Sequence, residues 1–343
     1  MAAASEVAAT STGEHPGAPR WLGVDIGGTT TEVVAIAGDG SVAECLQVAT
    51  RPADGLVPGT LEAIAALRSP LEAVSAIGIG VPGQVDPAAG TVRLAVNLGV
   101  GATSLALGAA IADAMGVRVA VENDVRAAAL GAQRVLAPDA QVFVFVGLGT
   151  GVAAGVVIGG QLHRGSNGLA GEIGHVVVVP DGEVCGCGDR GCLETVVSGS
   201  ALRRRWGHDV PAAGRAVAAA AAEGDARAKQ ILGEVAGHLD RMVQWLAHAY
   251  GADVIVLGGG LGRLGDPLLD PIRNRLRERA GRSEVAAKVI GPERLWCAPA
   301  EIPLGAVGAA AVAHAPIRPM DWAADRHAHQ LEGRDRSPAS IST

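Results

Sequence analysis

The densest chemistry in this chain lies between residues 172 and 194. Glu172-Ile-Gly-His175 is followed, ten positions on, by Cys185-Gly-Cys187-Gly-Asp-Arg-Gly-Cys192-Leu-Glu194. Three of the five cysteines fall within those eight residues. With His175 they form a closed set of three thiolates and one imidazole, the donor set of a structural zinc. The interleaved Gly186, Gly188 and Gly191 let so short a loop wrap an ion, because glycine accepts positive φ. Glu172 and Glu194 bracket the ligands, so a metal that ties the loop also fixes where two acids point. The competing reading is a disulfide or free buried thiols. An odd cysteine count in a chain of 343 residues argues against a small disulfide-stapled secreted domain. Cys45 and Cys297 stand apart and read as small core residues.

A second group of residues could hold phosphate. Asp25-Ile-Gly27-Gly28-Thr29-Thr30 places an acid at a strand end, then a tight turn. Glycine lets backbone amides approach phosphate oxygens, and threonine hydroxyls add donors. An acid beside polyphosphate is repulsive unless it positions a hydrated Mg²⁺, which is the role read for Asp25. Gly147-Leu-Gly149-Thr150-Gly151 offers the same chemistry, and Gly258-Gly259-Gly260 would let a flat nucleoside lie on the backbone. Neither a Gly-Lys-[Ser/Thr] ending nor a strand–turn–helix Gly-x-Gly-x-x-Gly is present at the first turn. Any one such turn alone reads as an ordinary hairpin. Three at strand ends, with an acid at the first, point to a nucleotide cleft.

Val119-Ala-Val-Glu-Asn123-Asp124 runs from a strand into a helix start. Asn123 or Asp124 could simply cap that helix. The functional reading makes Asp124 a general base, kept ionised by the helix dipole, that takes a proton from an attacking hydroxyl. Glu172 and Glu194 are then acceptors for vicinal sugar hydroxyls. The alternative for both is a solvated loop acid.

The elements that must position these groups alternate between strand and helix. Strands are predicted at 21–26, 31–37, 44–50, 74–81 and 117–121, with helices at 58–68, 105–115 and 124–136. The order then restarts with strands at 142–146, 152–158 and 254–257 and helices at 212–223, 226–250 and 302–313. Two strand–glycine turn–strand hairpins, one per half, predict a duplicated α/β architecture with a cleft between halves. The hydrophobic content is 49% with only 2% aromatic, so the core must come from Val, Ile, Leu and Ala. The uncharged run 142–160 is long enough to suggest a membrane span, but its central glycines and β-branched flanks read as two buried strands. The N-terminal residues lack a basic start and apolar run, so no signal peptide is expected. A net charge of −7 argues against a general nucleic-acid surface. A soluble cytoplasmic protein is expected, with no membrane or nucleic-acid partner.

These motifs resemble the ROK family of sugar kinases and sugar-responsive repressors, and within it the glucokinase-like members. The resemblance covers about residues 21–313 and rests on Asp25-Ile-Gly-Gly-Thr, Val81-Pro-Gly-Gln-Val-Asp86, Asn97-Leu-Gly, Glu122-Asn-Asp124, Gly171-Glu-Ile-Gly-His175 and the cysteine run through Glu194. It implies the actin/hexokinase (ribonuclease H-like) ATPase fold, with ATP and a hexose bound between two lobes. It implies Asp124 as base for the sugar 6-hydroxyl, with Asn97, Asn123, Glu172, His175 and Glu194 on the hexose. His175 would also be a zinc ligand. Asp25, Gly27, Gly28, Thr29 and Thr30, and Gly149, Thr150 and Gly151, would hold Mg²⁺ and phosphates. A homodimer or homotetramer is also implied. The domains that follow are a disordered segment 1–20, a small lobe 21–122 onto which helix 302–313 packs back, a large lobe 123–301 carrying the zinc loop 175–194, and a disordered tail 316–343.

Two departures stand out. Thr30 occupies a position that is often lysine in relatives. The loop after Asn97 reads Gly99-Val-Gly101 where a tryptophan is common, which leaves the exact hexose open, amino-substituted glucose included. Repressors of this type add a winged-helix module before the first glycine turn. About twenty residues precede the first strand here, too few for one, so the kinase is expected over the regulator.

Overall fold

The computed structural model describes residues 18–52, 55–207, 210 and 212–314. The segments predicted to be disordered, 1–20 and 316–343, lie outside the described residues except for 18–20, of which Pro19 and Arg20 open the first strand.

Two five-stranded sheets carry the same topology. The first contains β1 (Pro19–Ile26), β2 (Thr30–Ala37), β3 (Val42–Ala49), β4 (Ala76–Val81) and β7 (Arg118–Asn123), in the order β3-β2-β1-β4-β7. The second contains β8 (Val142–Leu148), β9 (Val152–Ile158), β10 (Gln161–Leu162), β11 (Val254–Gly258) and β12 (Leu295–Cys297), in the order β10-β9-β8-β11-β12. In each, an antiparallel three-strand meander is extended by two parallel strands. This is the duplicated actin/hexokinase-like arrangement that the two hairpins in the sequence implied. A short hairpin, β5 (Gln84–Asp86) with β6 (Thr91–Arg93), lies outside both sheets. The uncharged run forms β8 and β9, whose Val, Phe and Ile side chains suit a buried pleat. Among the described residues, no helix is long and apolar enough to cross a membrane.

The helices are α1 (Leu56–Ala65), α2 (Leu107–Met115), α3 (Asp124–Leu136), α4 (Glu194–Val197), α5 (Gly199–Trp206), α6 (Ala213–Ala222), α7 (Ala226–Tyr250), α8 (Gly259–Gly262), α9 (Asp266–Ala280), α10 (Glu284–Val289) and α11 (Leu304–Val312). The sequence reading missed α4, α5, α8, α9 and α10 and the short strands β5, β6, β10 and β12. Helix α9 was obscured by Pro271 inside it and by seven charged residues that leave it a weak apolar stripe. Cys45 lies exposed on β3, and Cys297 is half-buried on β12, so Cys45 is not the core residue expected from its isolation.

Helices α3 and α11 form a middle layer. One apolar cluster joins Val34 and Ile36 of β2 to Ala129, Val135 and Leu136 of α3, Phe143 and Phe145 of β8, and Ala306 and Val307 of α11. The backbones meet so closely that only glycine fits. A Cβ on Gly78 of β4 would lie 1.7 Å from Ala309 O, and one on Gly308 would lie 1.8 Å from Ala127 O. Replacing Gly78 with alanine therefore forces α11 off the sheet. We predict that Gly78→Ala destabilises the protein by about 1–3 kcal/mol or more in urea unfolding. An unchanged midpoint and slope contradict this packing.

Candidate active site

The first glycine turn joins β1 to β2. The Gly27 amide donates to Thr30 O at 2.9 Å, and the Thr50 hydroxyl donates to Gly27 O at 2.8 Å. Thr31 and Thr50 share a hydroxyl bond of 2.8 Å. With the turn braced from β3, the side of Gly28, Thr29 and Thr30 is left exposed to a ligand. Asn97 sits on a 3-10 turn, Val96–Leu98, and its Cβ lies 3.7 Å from where a Gly28 Cβ would be. The structure thus sets Asn97 beside the phosphate turn.

Asp25 and Asp124 flank one glycine. A Cβ on Gly80 would lie 3.3 Å from Asp25 Oδ1 and 3.6 Å from Asp124 Cα. On the other side of Asp25, a Cβ on Gly305 of α11 would lie 2.0 Å from its Oδ2. Burial, then the nearby charges of Asp124 and Glu32, hold the Asp25 carboxyl well above the usual carboxylate range. Gly80 and Gly305 escaped the sequence reading because nothing local marks a glycine that makes room for a distant carboxylate.

Asn123 caps α3, with its Oδ1 accepting from Val125 N at 3.1 Å and Arg126 N at 3.2 Å. That leaves its Nδ2, which donates weakly to Gly83 O at 3.4 Å, for any further partner. Asp124 is the first helical residue, and its Oδ1 accepts from Val125 N at 2.9 Å. The dipole was expected to keep Asp124 ionised. Burial raises its pKa, outweighing the Val125 amide bond and Arg126, and Glu172 pushes the same way as burial. A raised carboxylate is the stronger base, which suits proton abstraction.

The zinc-type donors converge. One donor atom from each of His175, Cys185, Cys187 and Cys192 lies within 4.8 Å of every other. Cys187 Sγ is 3.7 Å from Cys192 Sγ, and Cys185 Sγ is 3.6 Å from His175 Nδ1. An ion with Zn–S bonds of ~2.3 Å and tetrahedral angles spaces its sulfurs by about 3.8 Å. The four donors therefore fit one tetrahedral zinc, and the sulfurs stand too far apart for a disulfide. The other His175 nitrogen, Nε2, lies 3.9 Å from Glu172 Oε2, so the exposed acid stands where it can orient the imidazole.

Glu194 leaves this loop toward the second glycine turn. Its Oε2 accepts from Val152 N at 2.9 Å, and a Cβ on Gly151 would lie 2.5 Å from that oxygen. Gly149 is open, with nothing within 4 Å of a Cβ added there. Thr150 is exposed. Gly259 (φ +74) packs on this turn, where a Cβ would meet Leu148 O at 2.6 Å, while Gly260 faces open space. The buried strand β11 ends at Gly258, and Gly259 and Gly260 open the short helix α8 directly after it.

Glu122, quoted only as part of a motif, proves fully buried. Its Oε1 accepts from Arg126 Nε at 2.7 Å and from Asn123 N at 2.8 Å, and its Oε2 accepts from Arg164 Nε at 2.7 Å. Arg126 Nη1 also donates to Gly168 O at 2.6 Å. The sole sequence signal was an acid following the apolar stretch Val119-Ala-Val121 at the end of β7.

A glycine turn in each duplicated half, two acids meeting across Gly80 and a metal-type loop bonded to the second hairpin fit one class, the actin/hexokinase-like phosphotransferase. The ROK family pattern matches residues 21–315, and the chain belongs to that family. It is 33% identical to a glucokinase of Halalkalibacterium halodurans, over 76% of this chain and 86% of that protein. It is 32% identical to an N-acetylmannosamine kinase of Escherichia coli, over 70% of this chain and 83% of that protein. Among solved structures it resembles a ROK family glucokinase from Streptomyces griseus in complex with glucose and AMPPNP. That match has a TM-score of 0.68 and 33% identity, and covers 85% of this chain and 98% of the other. A ROK family transcriptional regulator matches with the same TM-score, 0.68, at 25% identity, over 86% of this chain and 78% of the other.

A carboxyl with a raised folded pKa favours the folded state only while protonated. Its contribution is full below the unfolded value, near 3.8 for Asp25, and is lost as pH rises through the folded value. Asp25→Asn removes that loss. We predict that the unliganded variant melts at a higher temperature than the parent at pH 8, with the gap closing toward pH 4. A lower melting temperature at pH 8 contradicts this.

Proposed function

We propose that this chain transfers the γ-phosphoryl group of ATP to the 6-hydroxyl of glucose or a glucose-like hexose, amino-substituted hexoses included. The observation that carries the reading is the placement of Asp124 across Gly80 from Asp25, within electrostatic reach of Glu172. Phosphate binding falls to the amides and hydroxyls of Gly27–Thr30 and Gly149–Gly151, and the nucleoside to Gly259 and Gly260. Glu172, His175 and Glu194 hold the sugar from the loop side, and Asn97 and Asn123 from the other.

In this mechanism Asp124 accepts the proton of the hexose hydroxyl, and the freed oxygen attacks the γ-phosphorus in line. The turn amides spread the charge that develops on the phosphoryl oxygens. Asp25 is the residue to hold Mg²⁺, which when bound supplies positive charge at those oxygens. His175, Cys185, Cys187 and Cys192 are the zinc ligands, and that metal keeps Glu172 and Glu194 aimed at the sugar. A small lobe 21–122 and a large lobe 123–301 close on the ligands, in a cytoplasmic homodimer or homotetramer.

The match to a transcriptional regulator motivates a second reading, a sugar-responsive DNA-binding protein without kinase activity. The retained Asp25 and Asp124 favour catalysis, and two phosphate turns have no use in a mere sugar sensor. Tight, specific retardation of an operator fragment would favour the regulator.

A coupled ADP-release assay over glucose, mannose, fructose, N-acetyl sugars and amino-glucoses tests the activity. In that assay we predict that Asp124→Asn lowers kcat by about 10²-fold or more. Near-normal turnover removes Asp124 from the role. Elemental analysis should find one zinc per chain in freshly purified protein. Cys187→Ala should lose both the metal and sugar affinity, whereas protein that binds sugar normally without zinc contradicts the ligand assignment.

A further inference from the structure

Glu122 is a carboxylate with no exposure, placed one residue before Asn123 and two before Asp124. Both its oxygens are taken, by two arginines from different elements and by one amide. Arg126 is buried and comes from the first turn of α3. Arg164 comes from the segment after β10, and its side chain keeps 39% exposure. Burying such a charge cluster adds little stability over an apolar substitute, so its value lies in geometry.

That geometry is a pair of tethers between the same two pieces of chain. Arg164 reaches from the 164–171 segment to Glu122, and Arg126 reaches from α3 back to Gly168 O. The segment is pinned at its far end, where Ala154 N donates to Gly171 O at 2.7 Å. Gly171 (φ +97) leaves no room for a side chain there, since a Cβ would lie 1.9 Å from Ala154 O. The next residue is Glu172. The chain between the two pins has no regular secondary structure. Its near end leaves β10, where His163 N donates to Val156 O at 2.8 Å, and the side chains that tie it to the start of α3 are Arg164 and Arg126.

We propose that Glu122, Arg126 and Arg164 are positioning residues that set the separation between Asp124 and Glu172, and so hold the hexose hydroxyl at the base. This rests on the kinase reading above. The phosphate turns are braced elsewhere, by Thr50 and by Glu194 on Val152, so the tethers act on the sugar side alone.

Arg164→Ala tests this while keeping the Glu122–Arg126 pair; because it leaves Glu122 Oε2 buried without that partner, its folding is checked by thermal melting and it is compared with the charge-keeping Arg164→Lys. The variant is expected to lose kcat by about tenfold and to raise the hexose KM severalfold, the scale of a small misplacement of reacting groups. The ATP KM should stay within twofold. Arg164→Lys should recover part of the loss, because a single N–H makes the bond. Hydrogen exchange should quicken in 164–172 and the first turn of α3. Unchanged exchange in 164–172, or ATP and hexose KM rising together, overturns the inference. Should the parent protein phosphorylate no hexose, the kinase reading falls, and the exchange experiment still decides the tether.

Discussion

Two carboxylates, Asp25 and Asp124, are held in poorly solvated surroundings on either side of a residue with no side chain. Everything else in the middle of the molecule serves that arrangement. Gly80 gives the two acids their spacing, and Gly305 lets the start of α11 close over Asp25. Gly78 and Gly308 let α11 seat on the sheet and on α3. A charge in such a place is unfavourable unless a cation or a proton arrives. The fold thus keeps an unfavourable electrostatic state that substrates can relieve, which is how a site trades stability for function.

The metal-type loop adds a second constraint. A four-residue helix and a run of glycines have little intrinsic order, and a zinc ion held by the four donors would supply what packing does not. His175 turns one nitrogen to the sulfurs and the other to Glu172. Glu194, at the end of the loop, bonds Val152 beside the second glycine turn. The loop thus connects Glu172 to the second glycine hairpin, and under the proposed function a disturbance at the four donors would reach both the sugar and the phosphates.

The sequence disclosed what is local. The Cys185–Cys192 spacing, the glycine turns at strand ends and the strand-to-helix step at Asp124 are each written in consecutive residues, and the structure places them as read. The repeated hairpin also exposed the duplication of the sheets. Contacts between distant residues were illegible. Arg164 is 42 residues from Glu122, and no periodicity links them. Glu194 likewise meets Val152 across 42 residues, so its bond to the phosphate hairpin could not be foreseen. At Asn123 the cap takes the amide oxygen, which leaves only Nδ2 for the sugar contact expected of it. At Asp124 the helix dipole is visible in sequence, whereas the burial that raises its pKa is not.

The most direct measurement is a crystal structure with glucose and a non-hydrolysable ATP analogue bound together. The account requires the sugar's primary hydroxyl within about 2.6–3.2 Å of an Asp124 oxygen, hydrogen-bond reach for a general base. Glu172 and Glu194 should then meet the ring hydroxyls. A hexose seated elsewhere, with Asp124 turned to bulk water, contradicts it.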